Sequence, residues 1–164
     1  MNKEDNQREE IAYIAGLIDG EGTIRMQKFI ENKWNPKYTP SISFVNTNLE
    51  VINLVGEFLK APPFTHTSNS GFKRNKICYK VQKAGSKSVV EPLQKLLPYL
   101  RIKKKQAELV LKYCKDYKPK QGCGIKGNYR TEEENLFRES IYQQIKELNQ
   151  YKRISPATTN RKDT

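Results

Sequence analysis

Between Ile11 and Gly22 the chain carries two helical stripes at once, and few folds can house both. Ile11, Ile14 and Ile18 recur at helical spacing and form an apolar face. Ala12, Gly16 and Gly20 recur every four residues on another face, where small residues let two helix backbones approach closely. Spacing alone leaves open whether the second helix belongs to this chain or to another copy of it. Asn6, with Glu9 three residues on, reads as a capping-box start, and Gly20-Glu21-Gly22 ends the helix. Asp19 and Glu21 therefore stand at the carboxyl end of a helix. The macrodipole is negative there, and an exposed carboxylate costs about 0.3–1 kcal/mol. A bound divalent cation would compensate, with helix-end carbonyls joining the carboxylates as oxygen ligands. Such a donor set suits Mg²⁺, which keeps several waters and takes one or two carboxylates plus substrate phosphates. Nearby lysines are the other available compensation.

The segment that follows alternates. Thr23 to Phe29 and Tyr38 to Asn46 read as strands, joined by a turn containing Asn32, Asn35 and Pro36. Ile24, Met26, Ile42 and Phe44 form the buried face, so the opposite face carries small and polar residues. A helix starts near Thr47 with Glu50 in capping register, uses Val51, Leu54, Val55 and Phe58 on its inner face, and stops at Pro62-Pro63. A second hairpin runs from Phe64 to Thr67 and from Ile77 to Gln82, with Tyr79 and Val81 on one face and Cys78, Lys80 and Gln82 on the other. Helices follow over 87–97, 103–117 and 132–151, the last capped by Thr131 with Glu134. The order is a duplicated α-β-β unit followed by helices.

Charge narrows the partner. The 164 residues carry a net charge of +12, which calls for a polyanion: DNA, RNA or an acidic membrane face. The three cysteines, Cys78, Cys114 and Cys123, contain no CxxC pair, and the single His66 gives them little company, so neither a zinc site nor a disulfide scaffold is expected. No segment approaches transmembrane length and the first ten residues lack the apolar run of a signal peptide. An intracellular location is expected, in bacterial cytoplasm or, given the Lys-, Asn- and Ile-rich composition, in a chloroplast or mitochondrion.

The run Ile14-Ala15-Gly16-Leu17-Ile18-Asp19-Gly20-Glu21-Gly22 closely resembles the motif of the LAGLIDADG homing endonucleases. Pro98-Tyr-Leu-Arg-Ile-Lys-Lys-Lys-Gln-Ala107 is similar to the segment after the second hairpin in single-motif members encoded by group I introns of large ribosomal RNA genes. The resemblance implies an α+β fold, αββαββα, with a saddle-shaped antiparallel sheet and additional C-terminal helices. The Thr-, Asn- and Lys-containing residues after Ile154 read as a flexible basic tail over 155–164, which leaves one domain over 1–154. A single motif copy resembles the homodimeric branch, which assigns Ala12, Gly16 and Gly20 to a dimer interface between motif helices. The family's metal ligand falls on Glu21, with the Gly20 carbonyl as a second ligand, and Asp19 is structural at the helix end. Glu stands here where Asp is commoner. The family's basic active-site residue falls on Lys103. Its polar residue at the end of the second strand falls on Asn48, and a basic residue of the following turn has no counterpart, Ile52 lying near it.

The implied activity is intron homing: site-specific hydrolysis of double-stranded DNA with Mg²⁺ as cofactor, Mn²⁺ as a substitute, and short 3′ overhangs as products. The two-stranded ribbons would enter the major groove. A strand of eight residues covers roughly 26 Å, or about 8 base pairs, so two subunits would read a pseudo-palindromic site of roughly 20 base pairs. Alternation nominates Arg25, Gln27, Thr39, Ser41, Ser43, Lys80 and Gln82 for bases, and charge nominates Lys28, Arg74, Lys76, Lys104, Lys152 and Arg153 for phosphates. Two alternatives use the same surface: an RNA-binding intron maturase, whose partner is intron RNA, and a DNA-binding regulator that has lost cleavage. Glu21 with Lys103 favours a nuclease over the regulator.

Overall fold

The first helix runs further back than its capping pattern implies. In the computed structural model, which describes residues 3–30, 36–66, 77–116 and 131–150, α1 spans Lys3–Glu21. Asn6 therefore lies inside the helix rather than at its cap; the acidic first turn, Glu4 and Asp5, already complements the positive helix end. Ile14, Ala15 and Ile18 are fully buried, as the isoleucine stripe requires. At the other end Gly22 donates its N–H to the Ile18 carbonyl at 3.0 Å. A Cβ on Gly22 would stand 2.7 Å from the Ile18 Cα and 2.8 Å from its carbonyl oxygen, so only glycine fits between the helix and the strand that starts at the next residue.

The strands β1 (Thr23–Phe29), β2 (Lys37–Asn46), β3 (Phe64–His66) and β4 (Cys78–Ala84) form one antiparallel sheet in the order β1-β2-β4-β3. Two hairpins thus lie side by side, joined along the β2–β4 seam. α2 (Leu49–Leu59) separates them in sequence and packs beside β4 and β2. Lys60 ends α2 in the left-handed region, with φ 51°, and its N–H returns to the helix. α3 (Val90–Leu96), α4 (Lys104–Asp116) and α5 (Glu132–Asn149) complete the chain, the last with the expected capping box between Thr131 and Glu134. The overall order is the anticipated αββαββα with further helices, and the expected domain boundary at residue 154 lies outside the described residues.

Register separates the two sheet faces. Ile24 pairs with Ile42, and Phe44 with Val81; all four are fully buried against the helices. Ile52, near which the resemblance implies a basic residue, is also fully buried in this core, so no charged side chain could stand at that position unpaired.

Lys28 shares the parity of Ile24 and Met26, and this corrects its nomination as a phosphate contact. It points to the helical side, where its ammonium lies 2.7 Å from Glu139 of α5 and beside the rings of Tyr38 and Tyr142. The Tyr38 hydroxyl donates to the same carboxylate. Partial burial opposes ionisation of Glu139, but bonds from Lys28, Tyr38 and Gln143 outweigh it and hold the pKa down at about 2, against an ordinary 4.5. A depressed carboxylate stabilises the fold above its unfolded pKa and loses that contribution as protons bind. Melting temperature should therefore fall between about pH 4.5 and 2 in the wild type, and Glu139→Gln should flatten that slope. A mutant with the wild-type slope in thermal melts across this range would remove Glu139 from the account.

Candidate nucleic-acid interface and metal centre

The sheet face turned away from the helices is polar, and its rows follow from pairing. Gln27 faces Thr39; Arg25, Ser41 and Ala84 form the next row; then come Thr23, Ser43 and Gln82; then Val45, Lys80 and Phe64. Arg25, Gln27, Thr39, Lys80 and Gln82 are half-buried and share this face, as alternation implies. Ser41 and Ser43 share it too but are only 1% and 5% exposed, which corrects their assignment as base-contacting residues. They sit in β2, flanked on both sides, where a short side chain stays below its longer neighbours. Burial lowers the pKa of Lys80, helped by the positive charge of Arg25, so two cations are held close together on this face. Such crowding is costly without an anion nearby. Lys104 is exposed at the start of α4, whereas Arg74, Lys76, Lys152 and Arg153 lie outside the described residues.

At one end of this face the helix end, the strand end and the 101–103 turn meet. The Asp19 carboxylate accepts the backbone N–H groups of Arg101 at 2.6 Å, Ile102 at 3.1 Å and Lys103 at 2.8 Å. Partial burial disfavours its charge, yet these bonds outweigh burial and hold its pKa below the ordinary value. The Lys103 ammonium in turn donates to the Asp19 carbonyl. Burial pulls the Lys103 pKa down, against the opposing pull of Asp19. Asp19 is thus a clamp that fixes Lys103 beside the end of α1, in keeping with its structural assignment.

Glu21 is exposed, and its carboxylate accepts a 2.6 Å bond from the Asn46 amide at the end of β2. Asn46, not Asn48, is the strand-end residue that touches Glu21. The Asn48 oxygen accepts from the N–H groups of Glu50 at 2.9 Å and Val51 at 3.3 Å, making it the cap of α2 in place of Thr47. Asn46 also accepts the Asn48 N–H at 2.9 Å, which orients its amide so that nitrogen faces the carboxylate. These roles separate in mutants. Asn48→Ala should cost about 0.5–2 kcal/mol of stability as a lost cap. Asn46→Ala, which removes an exposed contact to Glu21, should leave the melting temperature nearly unchanged. Equal losses of stability in denaturant titrations would contradict that division.

The residues fit a cation shared with a phosphate rather than a complete cage. Among the described residues no group of three or more His, Cys, Asp or Glu comes together. The Glu21 carboxylate and the Gly20 carbonyl, at a helix end that lacks intrahelical donors, would fill only part of an octahedral magnesium shell and leave the rest to water and phosphate. Ala12, Gly16 and Gly20 are all exposed, and a Cβ on Gly16 or Gly20 would meet nothing within 4 Å. Beside Ala12 and Gly16 lies an open cavity of about 360 Å³, walled also by Asp19, Pro98, Tyr99 and Arg101. No helix among the described residues is long and apolar enough to cross a membrane.

No family model matches the chain. The DNA endonuclease I-CvuI of Chlorella vulgaris is 30% identical over 109 residues, which is 65% of this chain and 64% of that protein, so the match spans just under two thirds of the relative. The structural likeness extends further. I-CvuI, solved in complex with DNA in the presence of magnesium, superposes with a TM-score of 0.68 at 21% identity, covering 94% of this chain and 89% of that one. The archaeal intron-encoded homing endonuclease I-Vdi141I, complexed with DNA, gives 0.66 at 14% identity over 93% and 91%.

Proposed function

We propose that this chain, by fold and sequence a relative of the LAGLIDADG homing endonucleases, is a metal-dependent, site-specific double-strand DNA endonuclease that acts as a homodimer. The observation that carries the reading is the meeting of Glu21, Asn46 and the Asp19-clamped Lys103 at the end of a basic, polar sheet face. Arg25, Gln27, Thr39, Lys80 and Gln82 would read bases in the major groove, Arg25 toward guanine and the glutamines toward adenine. Lys104 would hold phosphate, and Arg74, Lys76, Lys152 and Arg153 keep that assignment by charge.

Glu21 and the Gly20 carbonyl would hold Mg²⁺, or Mn²⁺ in its place. When bound, the cation lowers the pKa of water and stabilises attacking and leaving oxygens. Asn46 orients the Glu21 carboxylate. Lys103 places a positive charge beside the phosphodiester, where charge develops in the transition state. Two such sites, one per subunit, would cut both strands and leave short 3′ overhangs.

Cleavage selection from a randomised double-stranded DNA pool in Mg²⁺ tests the reading. A pseudo-palindromic site of roughly 20 base pairs should emerge. A chain that binds a site but never cuts it in Mg²⁺ or Mn²⁺ would be a regulator instead. The dimer rests on the exposed small-residue face of α1. Gly16→Leu should keep the fold, since space is open there, and shift sedimentation to the monomer. A fully dimeric mutant would rule out that interface.

A further inference from the structure

One large apolar side chain stands exposed on the reading face. Phe64 opens the edge strand β3 and pairs across to Lys80, which pairs across to Val45. Antiparallel partners share a face, so the Phe64 ring stands on the same side as Arg25, Gln27 and Gln82. It is 48% exposed. The Lys80 ammonium lies 5.9 Å from its centroid, which gives the ring a defined place over the groove-facing surface. An isolated exposed aromatic on the rim of a fold carries little information. Here the ring stands in a row with Lys80 and half-buried Val45, on a face that also carries Arg25, Gln27 and Gln82, and an exposed apolar ring at such a place suits the one apolar feature of the major groove, the thymine methyl group.

Position along the sheet says which thymine. The row Val45–Lys80–Phe64 is next to the row Asn46–Tyr79–Thr65, and Asn46 bonds to Glu21. The rows of Arg25 and Gln27 lie progressively further from that end. We infer that Phe64 reads the methyl group of a thymine in the inner part of each half-site, nearer the cleaved bonds than the base pairs met by Arg25 and Gln27. The inference rests on the proposed DNA endonuclease and adds a base identity and a position to it.

The test replaces, one at a time, each thymine of the selected site with deoxyuridine, which removes the methyl group and leaves the pairing edge intact. Equilibrium binding is measured with Ca²⁺ present for the wild type and for Phe64→Ala, after both are shown to melt alike. One inner thymine in each half-site should lose about fourfold in affinity for the wild type, the value of one buried methyl group, and nothing for Phe64→Ala. The idea is overturned if no deoxyuridine weakens the wild type, if the sensitive thymine lies outermost, if Phe64→Ala keeps the same penalty, or if the selected inner half-site contains no thymine. A chain that selects no DNA site at all would instead refute the endonuclease reading, and this inference with it.

Discussion

Glu21→Gln should bind the selected DNA site and cut it at least about 10²-fold more slowly than the wild type. The substitution keeps side-chain length and an oxygen that can accept the bond from the Asn46 amide, so the local fold survives. What it removes is the charge of the exposed carboxylate proposed to hold the cation. The small-residue face around it does not hold the carboxylate by packing, since Glu21 is exposed. The readout is single-turnover cleavage in Mg²⁺ alongside equilibrium binding. Cleavage at the wild-type rate would show that the cation is held elsewhere. Loss of binding together with cleavage would mean that Glu21 acts on the fold, against the exposed position seen here.

Asp19→Ala should lower both stability and cleavage, for separate reasons. Three backbone N–H groups lose a charged acceptor, and hydrogen bonds to charged groups contribute about 1.5–3 kcal/mol each. Asp19 is only partly buried, and water can replace part of the loss, so about 2–4 kcal/mol in total is expected. For a chain of this size that corresponds to a fall of about 4–16 °C in Tm. The turn that carries Lys103 also loses its tether, so the ammonium no longer has a fixed place beside the helix end. Lys103→Met isolates the second effect, with slower cleavage at nearly wild-type Tm. The Asp19 contribution is also pH-dependent in a known direction: its folded pKa lies below 3.8, so the stabilisation is present above that pH and disappears on further acidification. An Asp19→Ala chain with wild-type Tm would show that the clamp carries no load.

These expectations depend on contacts of differing legibility. The helix–hairpin repeat, the buried isoleucines and the polar sheet face were visible because periodicity reports which side a residue takes. Depth is another matter. Ser41 and Ser43 lie on the correct side but below its surface, because the accessibility of a short side chain is decided by its neighbours across two strands, which sequence spacing does not specify. Lys28 is the reverse case. Its parity with Ile24 and Met26 placed it on the helical side, and its charge alone suggested phosphate; the Glu139 partner that makes the buried-side position tolerable lies 111 residues away in sequence. Asn48 also had a local signal, since it stands immediately before Leu49, where a cap belongs. Nothing local links Asn46 to Glu21 or Asp19 to the 101–103 turn, because both contacts form only once the sheet and helices have assembled.

The glycine at position 22 has a consequence for fidelity. It is the only residue between the carboxylate-bearing end of α1 and the first residue of β1, and it is packed too tightly against Ile18 to admit a methyl group. The strand that would touch the bases and the carboxylate that would hold the cation are therefore joined without slack. A wrong base pair that tilts β1 by a fraction of an ångström would displace Glu21 with it. Discrimination between right and wrong sites would then be greater in the rate of cutting than in the strength of binding, with no separate checking step.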